Sequence, residues 1–229
     1  MDQTALISGV TGQNGAYLAH HLPRLGYRVV GTSRDAQMAD LSRLERLGIG
    51  GDVEVVSLAP NDFRSVLKVV SSIQPEQIYN LAGQTSVGLS FEQPVECMDS
   101  ISVAMLNLLE VIRYLGGGIR FFSAGSSECF GQTGQEPATE DTPLRPRSPY
   151  AVAKAAAYWQ VATYREAYGM FACTGILANH PCAPGGSSPR RSLRGCGRSR
   201  RARCARFNSA TWRSGATGAG PRIMCRRWC

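Results

Sequence analysis

No stretch of this 229-residue chain approaches the roughly 18 or more consecutive apolar residues that a membrane-spanning helix needs. A helical membrane protein is therefore not expected. The amino terminus, Met1-Asp2-Gln3-Thr4-Ala5-Leu6-Ile7-Ser8, lacks the basic-then-apolar order of a secretory signal and soon turns glycine-rich. A cytoplasmic setting is the expectation. Cysteine is present but lacks metal-ligand spacing: Cys97, Cys129 and Cys173 are scattered through the body, as reduced structural thiols would be. No metal is implied. There is no internal repeat beyond an alternation of strand-like and helix-like segments.

One absence is regional. Residues 181–229 contain no Asp, Glu or Lys but 12 Arg, whereas residues 1–180 hold 13 Lys+Arg against 17 Asp+Glu. The overall net charge of +8 is thus −4 before the seam at His180 and +12 after it. The other five cysteines also fall in the later part (Cys182, Cys196, Cys204, Cys225, Cys229). Two regions are expected, 1–180 and 181–229. At 43% hydrophobic residues, the chain has enough apolar material for a buried core, and the pattern assigns that core to the first region.

Within 1–180, short apolar runs alternate with amphipathic stretches. Strands are expected at 5–8, 27–32, 53–56, 77–81, 119–123 and 171–177, and helices at 16–25, 40–47, 62–72, 102–115 and 148–168. Such alternation argues for an α/β fold whose parallel sheet is covered on both faces. Between the first strand and first helix lies Gly9-x-x-Gly12-x-x-Gly15. Glycines here allow a tight turn and a close backbone approach to a dinucleotide pyrophosphate, whose charge rests at the helix N-terminus. The second strand ends in Ser33-Arg34-Asp35. An arginine there accommodates a ribose 2′-phosphate and an acid binds the 2′-hydroxyl, so Arg34 favours NADP while Asp35 leaves NAD open.

Tyr150-x-x-x-Lys154 opens the longest helix, after Arg147-Ser148-Pro149. The i, i+4 spacing puts both side chains on one face. An ammonium beside a phenol is expected to lower the tyrosine pKa towards the range of a general base.

Together, the glycine turn, Asn80-Leu81-Ala82 after the fourth strand, and Tyr150-x-x-x-Lys154 resemble extended short-chain dehydrogenase/reductases acting on nucleotide sugars. Narrower stretches resemble the GDP-mannose 4,6-dehydratases: Gly12-Gln13-Asn14-Gly15-Ala16-Tyr17-Leu18, Ser90-Phe91-Glu92-Gln93-Pro94, Pro146 to Lys154, and Tyr164-Arg165-Glu166-Ala167-Tyr168-Gly169. The resemblance implies a Rossmann-type doubly wound parallel sheet. It implies cofactor contacts from Gly9, Gly12, Gln13, Asn14, Gly15, Arg34, Leu81, Ala82, Tyr150, Lys154 and His180. It implies substrate contacts from Ser86, Ser90 and Asn179, with GDP-mannose or a related nucleotide sugar as substrate. A homo-oligomer is the family's usual state.

The resemblance also assigns chemistry to Ser126-Ser127-Glu128, where epimerases usually lack the acid. Tyr150 takes the proton from the sugar O4 as NADP accepts hydride from C4, with Ser126 hydrogen-bonded to that oxygen. The new ketone acidifies C5. Glu128 removes the C5 proton and protonates the departing 6-hydroxyl, after which hydride returns to C6. Another nucleotide-sugar dehydratase, epimerase or reductase is the alternative, as is a non-catalytic NADP-binding fragment. Three positions depart from the family. Val56-Ser57-Leu58 stands where Gly-Asp-Leu is usual, Gly83 replaces a common alanine, and Asp35 replaces a second arginine.

After Leu177-Ala178-Asn179-His180 the family pattern stops. An arginine-rich segment suggests a nucleic-acid arm, but only Phe207, Trp212 and Trp228 are available to stack on bases and no recognised module is present. A shifted reading frame explains the composition better. Back-translation of Gly215–Cys225, read from the third base of each codon, yields RDWGWAPDYV, closely similar to a segment of the family's substrate domain. Residues 181–229 are therefore expected to be out of frame and unstructured, with the usual C-terminal substrate lobe missing or disordered.

Overall fold

The computed structural model describes residues 3–116, 118–133 and 137–177. Six strands form one sheet: β1 (Gln3–Ser8), β2 (Tyr27–Ser33), β3 (Glu54–Ser57), β4 (Gln77–Asn80), β5 (Arg120–Ser126) and β6 (Ala172–Leu177). Their spatial order is β3-β2-β1-β4-β5-β6, and every neighbouring pair is parallel. Helices α1 (Gln13–His21), α2 (Ser42–Arg46), α3 (Phe63–Ile73), α4 (Val87–Glu92), α5 (Pro94–Met98), α6 (Ala104–Leu115) and α7 (Pro149–Tyr168) supply the connections.

Successive strand residues point to opposite faces, and each face has its own core. Leu6, Val30, Ile78 and Phe121 pack with Val66 and Val70 of α3, Leu108 and Leu109 of α6, and Val161 of α7. Their chain neighbours Ile7, Val29, Tyr79 and Phe122 pack with Ala16, Leu18 and Ala19 of α1 and Leu44 of α2. Burial on both sides explains why these strands read as continuous apolar runs rather than alternating ones.

The helix boundaries differ from the sequence expectation in ways the residues explain. The first helix begins at Gln13, three residues early, and ends at His21. The chain then tightens into a 3₁₀ turn over Leu22–Leu25, because Pro23 lacks an amide proton and its ring crowds the preceding turn. Helices α4 and α5 were not anticipated, being too short for a helical period to register. Local chemistry builds them: the Ser86 hydroxyl accepts from the Leu89 amide at 3.2 Å, and Pro94 opens α5. A π-helical segment, Asp99–Val103, joins α5 to α6.

The long helix is fixed at both ends. Ser148 caps α7 by accepting from the Ala151 amide at 3.1 Å, with Pro149 in the first turn. Further along, the Tyr164 hydroxyl donates to Glu110 of α6. Arg113 grips the same carboxylate through Nε at 3.0 Å and Nη2 at 2.7 Å, and lies 5.1 Å from the centre of the Tyr168 ring. Arg113 first, then Tyr164, holds the Glu110 carboxyl below its ordinary range. Tyr164→Phe is expected to cost about 1 kcal/mol, lowering the thermal midpoint by roughly 2–4 °C, with no change in dinucleotide affinity. Paired melting and titration curves check this; a loss of affinity would place the brace in the site.

Candidate active site

Strand order reverses direction between β1 and β4, and the crevice outside the carboxyl ends at such a point is where doubly wound sheets take ligands. The glycine turn fills one wall of that crevice. Gly9 adopts φ +82, and a Cβ on it would lie 2.9 Å from the Ala82 nitrogen and 3.0 Å from the Leu81 carbonyl carbon. The position therefore needs glycine for both its backbone angle and its contact with the end of β4. Its amide donates to the Thr32 carbonyl at 3.3 Å, and the Gly12 amide donates back to the Gly9 carbonyl at 3.1 Å. Gly15 packs so closely on this loop that a Cβ would sit 2.3 Å from the Gly9 oxygen.

Gly12 is the N-cap of α1, and no side chain caps this helix, whereas Asp62, Ser86 and Ser148 cap α3, α4 and α7. The first-turn amides of Gln13, Asn14 and Gly15 are thus free of a side-chain acceptor. An uncapped helix end behind a side-chain-free turn fits a dinucleotide pyrophosphate.

At the end of β2, Arg34 is exposed and makes no hydrogen bond or ion pair among the described residues. Asp35 is engaged differently. Its carboxylate oxygen accepts from the amides of Gln37 at 2.9 Å and Met38 at 3.3 Å, folding it back on its own loop. The Ser57 hydroxyl accepts from the Ala36 amide at 2.9 Å, so the residue replacing the family's acid anchors this loop. Gly83, the other small departure, adopts φ +123, a backbone angle at which an alanine would be strained.

A second cluster forms where β5 ends. Ser126 is the last residue of the strand, and Ser127–Phe130 continue as a 3₁₀ turn in which the Glu128 amide donates to the Ser126 hydroxyl at 3.3 Å. Glu128 is exposed on that turn, while Cys129 beside it is buried, its thiol 3.8 Å from the Ala151 carbonyl. Tyr150, in the first turn of α7, is buried, with Ser126 close enough to influence its phenol. Lys154, one turn further, donates from Nζ to the Ala124 carbonyl of β5 at 2.8 Å. Ser126, Glu128, Tyr150 and Lys154 are therefore brought together, one strand beyond the crevice.

Their electrostatics differ from the sequence expectation. Burial pushes the Tyr150 phenol above its ordinary value, the Ser126 hydrogen bond works in the opposite direction, and the Glu128 charge adds to the rise. Burial also pulls Lys154 down to about 8. The expected lowering of Tyr150 by its lysine is overturned, because desolvation dominates and the ammonium is bound to a strand carbonyl.

Not every expected residue reaches the site. Ser90 has no exposed surface, and its hydroxyl donates to the Val87 carbonyl at 2.6 Å, so it packs inside α4 rather than facing a ligand. Ser86 is exposed and serves as the α4 cap. Asn179, His180 and residues 181–229 lie outside the described residues. Arg43 was missed. Its Nη1 donates to the Thr11 carbonyl at 3.0 Å, reaching the glycine turn from α2. The available sequence signal was Asp40-x-Ser42, a helix-start pattern that fixes the residue after it. Among the described residues, no group of His, Cys, Asp or Glu is placed to hold a metal ion, and no helix is long and apolar enough to cross a membrane. A cavity of about 390 Å³ opens beside β6, lined by Phe130, Glu140, Asp141, Tyr158, Trp159 and Ile176 among others. None of the four clustered residues lines it, so it is not where their chemistry converges.

A glycine turn at the switch point, joined to a Ser–Tyr–Lys cluster at the next strand but one from β1, defines a nucleotide-binding protein of the short-chain dehydrogenase/reductase type. The solved structures it resembles agree. The NAD complex of UDP-glucose 4-epimerase from Thermus thermophilus matches with a TM-score of 0.66 at 26% identity, over 75% of this chain and 54% of that one. The dTDP-glucose 4,6-dehydratase of Bacillus anthracis, also with NAD, shares the fold with a TM-score of 0.65 at 20% identity, over 77% and 55%. The family model for GDP-mannose 4,6 dehydratase matches residues 6–199, running past the compositional seam at His180. The chain belongs to the GDP-mannose 4,6-dehydratase family. The Vibrio cholerae relative of that name is 41% identical over 198 residues, 83% of this chain and 52% of the relative, and the Drosophila melanogaster relative is 40% identical over 83% and 49%. The chain thus spans about half the length of the relatives it matches.

Proposed function

We propose that this chain carries the cofactor-binding and proton-transfer half of a GDP-mannose 4,6-dehydratase that uses NADP. The observation that carries the reading is the assembly of Ser126, Glu128, Tyr150 and Lys154 at the carboxyl end of β5, beside the uncapped glycine turn. When bound, the nicotinamide supplies a site that takes up hydride and later returns it. Tyr150 removes the proton from the sugar O4 as the C4–H bond breaks, and the neighbouring Ser126 hydroxyl donates to that oxygen. Lys154, held to the Ala124 carbonyl at 2.8 Å on the same face of α7, supplies positive charge to the pocket in which the phenolate forms. Glu128, exposed on the 3₁₀ turn, takes the C5 proton that the C4 ketone has acidified and gives it to the departing O6. Water is released; the C5 carbanion left when C6 is reduced takes up the O4 proton held by Tyr150, which returns both side chains to their starting states and closes the proton balance.

NADP is favoured over NAD by the free Arg34 and by the engagement of Asp35 with its own loop amides. The named nucleotide-sugar relatives support GDP-mannose as substrate. Exposed Val103, at the end of the π-helical segment, Leu106 on α6, and Val152 and Trp159 on α7 support a homo-oligomer in which these helices pair. Among the described residues, the free thiols of Cys97, Cys129 and Cys173 are consistent with a cytoplasmic setting. On this reading, residues 181–229 are translated out of frame, and sequencing the encoding DNA tests it. A family frame beyond codon 180 is expected; its absence would restore the basic-arm alternative.

The deciding experiment incubates the full chain with NADP and GDP-mannose and follows the product by mass, where loss of water marks dehydration. Glu128→Gln is expected to reduce turnover by about 10²–10⁴-fold while leaving NADP affinity unchanged. Full dehydration by Glu128→Gln would overturn its role. NADP binding with no turnover in the unsubstituted chain would favour the non-catalytic fragment.

A further inference from the structure

We propose that Arg43 is a specificity-determining residue, gripping the adenosine 2′-phosphate of the cofactor together with Arg34; this rests on the NADP reading above.

The end of β2 offers one arginine where the family pattern has two, since Asp35 occupies the second position. Turning the Asp35 carboxylate onto the Gln37 and Met38 amides reduces its repulsion of a phosphate but supplies no cation. Arg43 supplies one from the next helix. Its Nη1 donates to the Thr11 carbonyl at 3.0 Å. Thr11 belongs to the turn whose Gly9 amide is itself bonded to Thr32 of β2 at 3.3 Å. The guanidinium is thereby attached to the wall formed by the glycine turn and the end of β2, which is where a dinucleotide of this fold places its adenosine ribose.

The guanidinium also has capacity left. It makes no other hydrogen bond and no ion pair among the described residues. A guanidinium is planar and offers donors along more than one edge, so one nitrogen can hold a carbonyl while the others face a phosphate. The direction of approach is fixed by Asp40, whose carboxylate accepts from the Ser42 amide at 3.0 Å and starts α2 just before Arg43. Asp40 is the acid that feels the Arg43 charge, and Asp35 stands at the end of β2. Both are bound to backbone amides, so neither neutralises Arg43 through a direct ion pair.

Calorimetric titration of the full chain with NADPH and with NADH separates this role from bracing. Arg43→Gln is expected to weaken NADPH binding about tenfold, the effect of losing one charge-assisted phosphate contact, while NADH affinity changes less than about twofold. Arg43→Lys keeps the charge and should recover part of the NADPH affinity, guarding against a misfolded glutamine variant. Equal losses for both cofactors, or none, would show that Arg43 only braces the turn and would overturn the proposal. If the unsubstituted chain bound NADH as tightly as NADPH, the NADP reading would fall first, and this inference with it.

Discussion

Gly15→Ala is expected to eliminate dinucleotide binding and to lower the thermal midpoint by about 5 °C or more. In an exposed helix this exchange stabilises, by up to about 1 kcal/mol. Here the added carbon would lie 2.3 Å from the Gly9 oxygen and 2.7 Å from the Val10 Cα, both main-chain atoms. Neither can rotate away. The turn must open, straining the 3.1 Å Gly12–Gly9 hydrogen bond and the contact of Gly9 with Ala82. Overpacking of this kind costs about 1–3 kcal/mol or more, which outweighs the helix gain. Each kcal/mol corresponds to roughly 2–4 °C in a chain of this size. Melting curves with and without NADPH read both effects. An alanine variant with an unchanged midpoint and affinity would show that the turn relaxes freely and that its tightness is not required.

The second large effect runs the other way for stability. Lys154→Met should raise the midpoint of the cofactor-free protein by several degrees while removing turnover. The ammonium is buried and sits at about 8 against an ordinary 10.5, so keeping it charged at neutral pH costs on the order of 3 kcal/mol. Methionine fills a similar volume without that cost. The sign follows from proton counts. Between about pH 8 and 10.5 the unfolded chain holds the lysine proton more often than the folded one, so stability rises with pH. Above about 9 the buried thiols of Cys97 and Cys129 act oppositely, since burial keeps them protonated while unfolded thiols ionise. The unsubstituted chain should therefore gain stability from pH 8 to 9, and Lys154→Met should show no gain, declining slightly as the unfolded thiols begin to ionise. A parallel rise in the variant would assign the gain to another group.

How much was legible in the sequence depended on the range of the interaction. The sheet was readable because two-sided burial leaves apolar runs such as Ala5-Leu6-Ile7, Val29-Val30 and Phe121-Phe122, and Gly9-Gly12-Gly15 announced the turn. Tyr150 and Lys154 were readable because four residues on a helix fix their separation. The lysine's partner was not, since Ala124 enters through its carbonyl and any residue would supply one. Ser90 was misplaced for a similar reason: its hydroxyl bonds one turn back within a helix too short to be anticipated. Ser57 and Arg43 act across strand and helix boundaries, where spacing along the chain carries no information about distance.

The contact between Gly9 and Ala82 also sets a timetable. The pyrophosphate cradle is not closed by its own βα unit; its far wall is the end of β4, so the first glycines emerge from the ribosome long before their packing partner exists. During synthesis, β1, β2 and β3 must persist as a half-sheet without the cofactor to stabilise them. If the turn holds a dinucleotide as proposed, binding would require β4 to have docked against β1, which would make the cofactor a late lock on the fold rather than a template for its beginning.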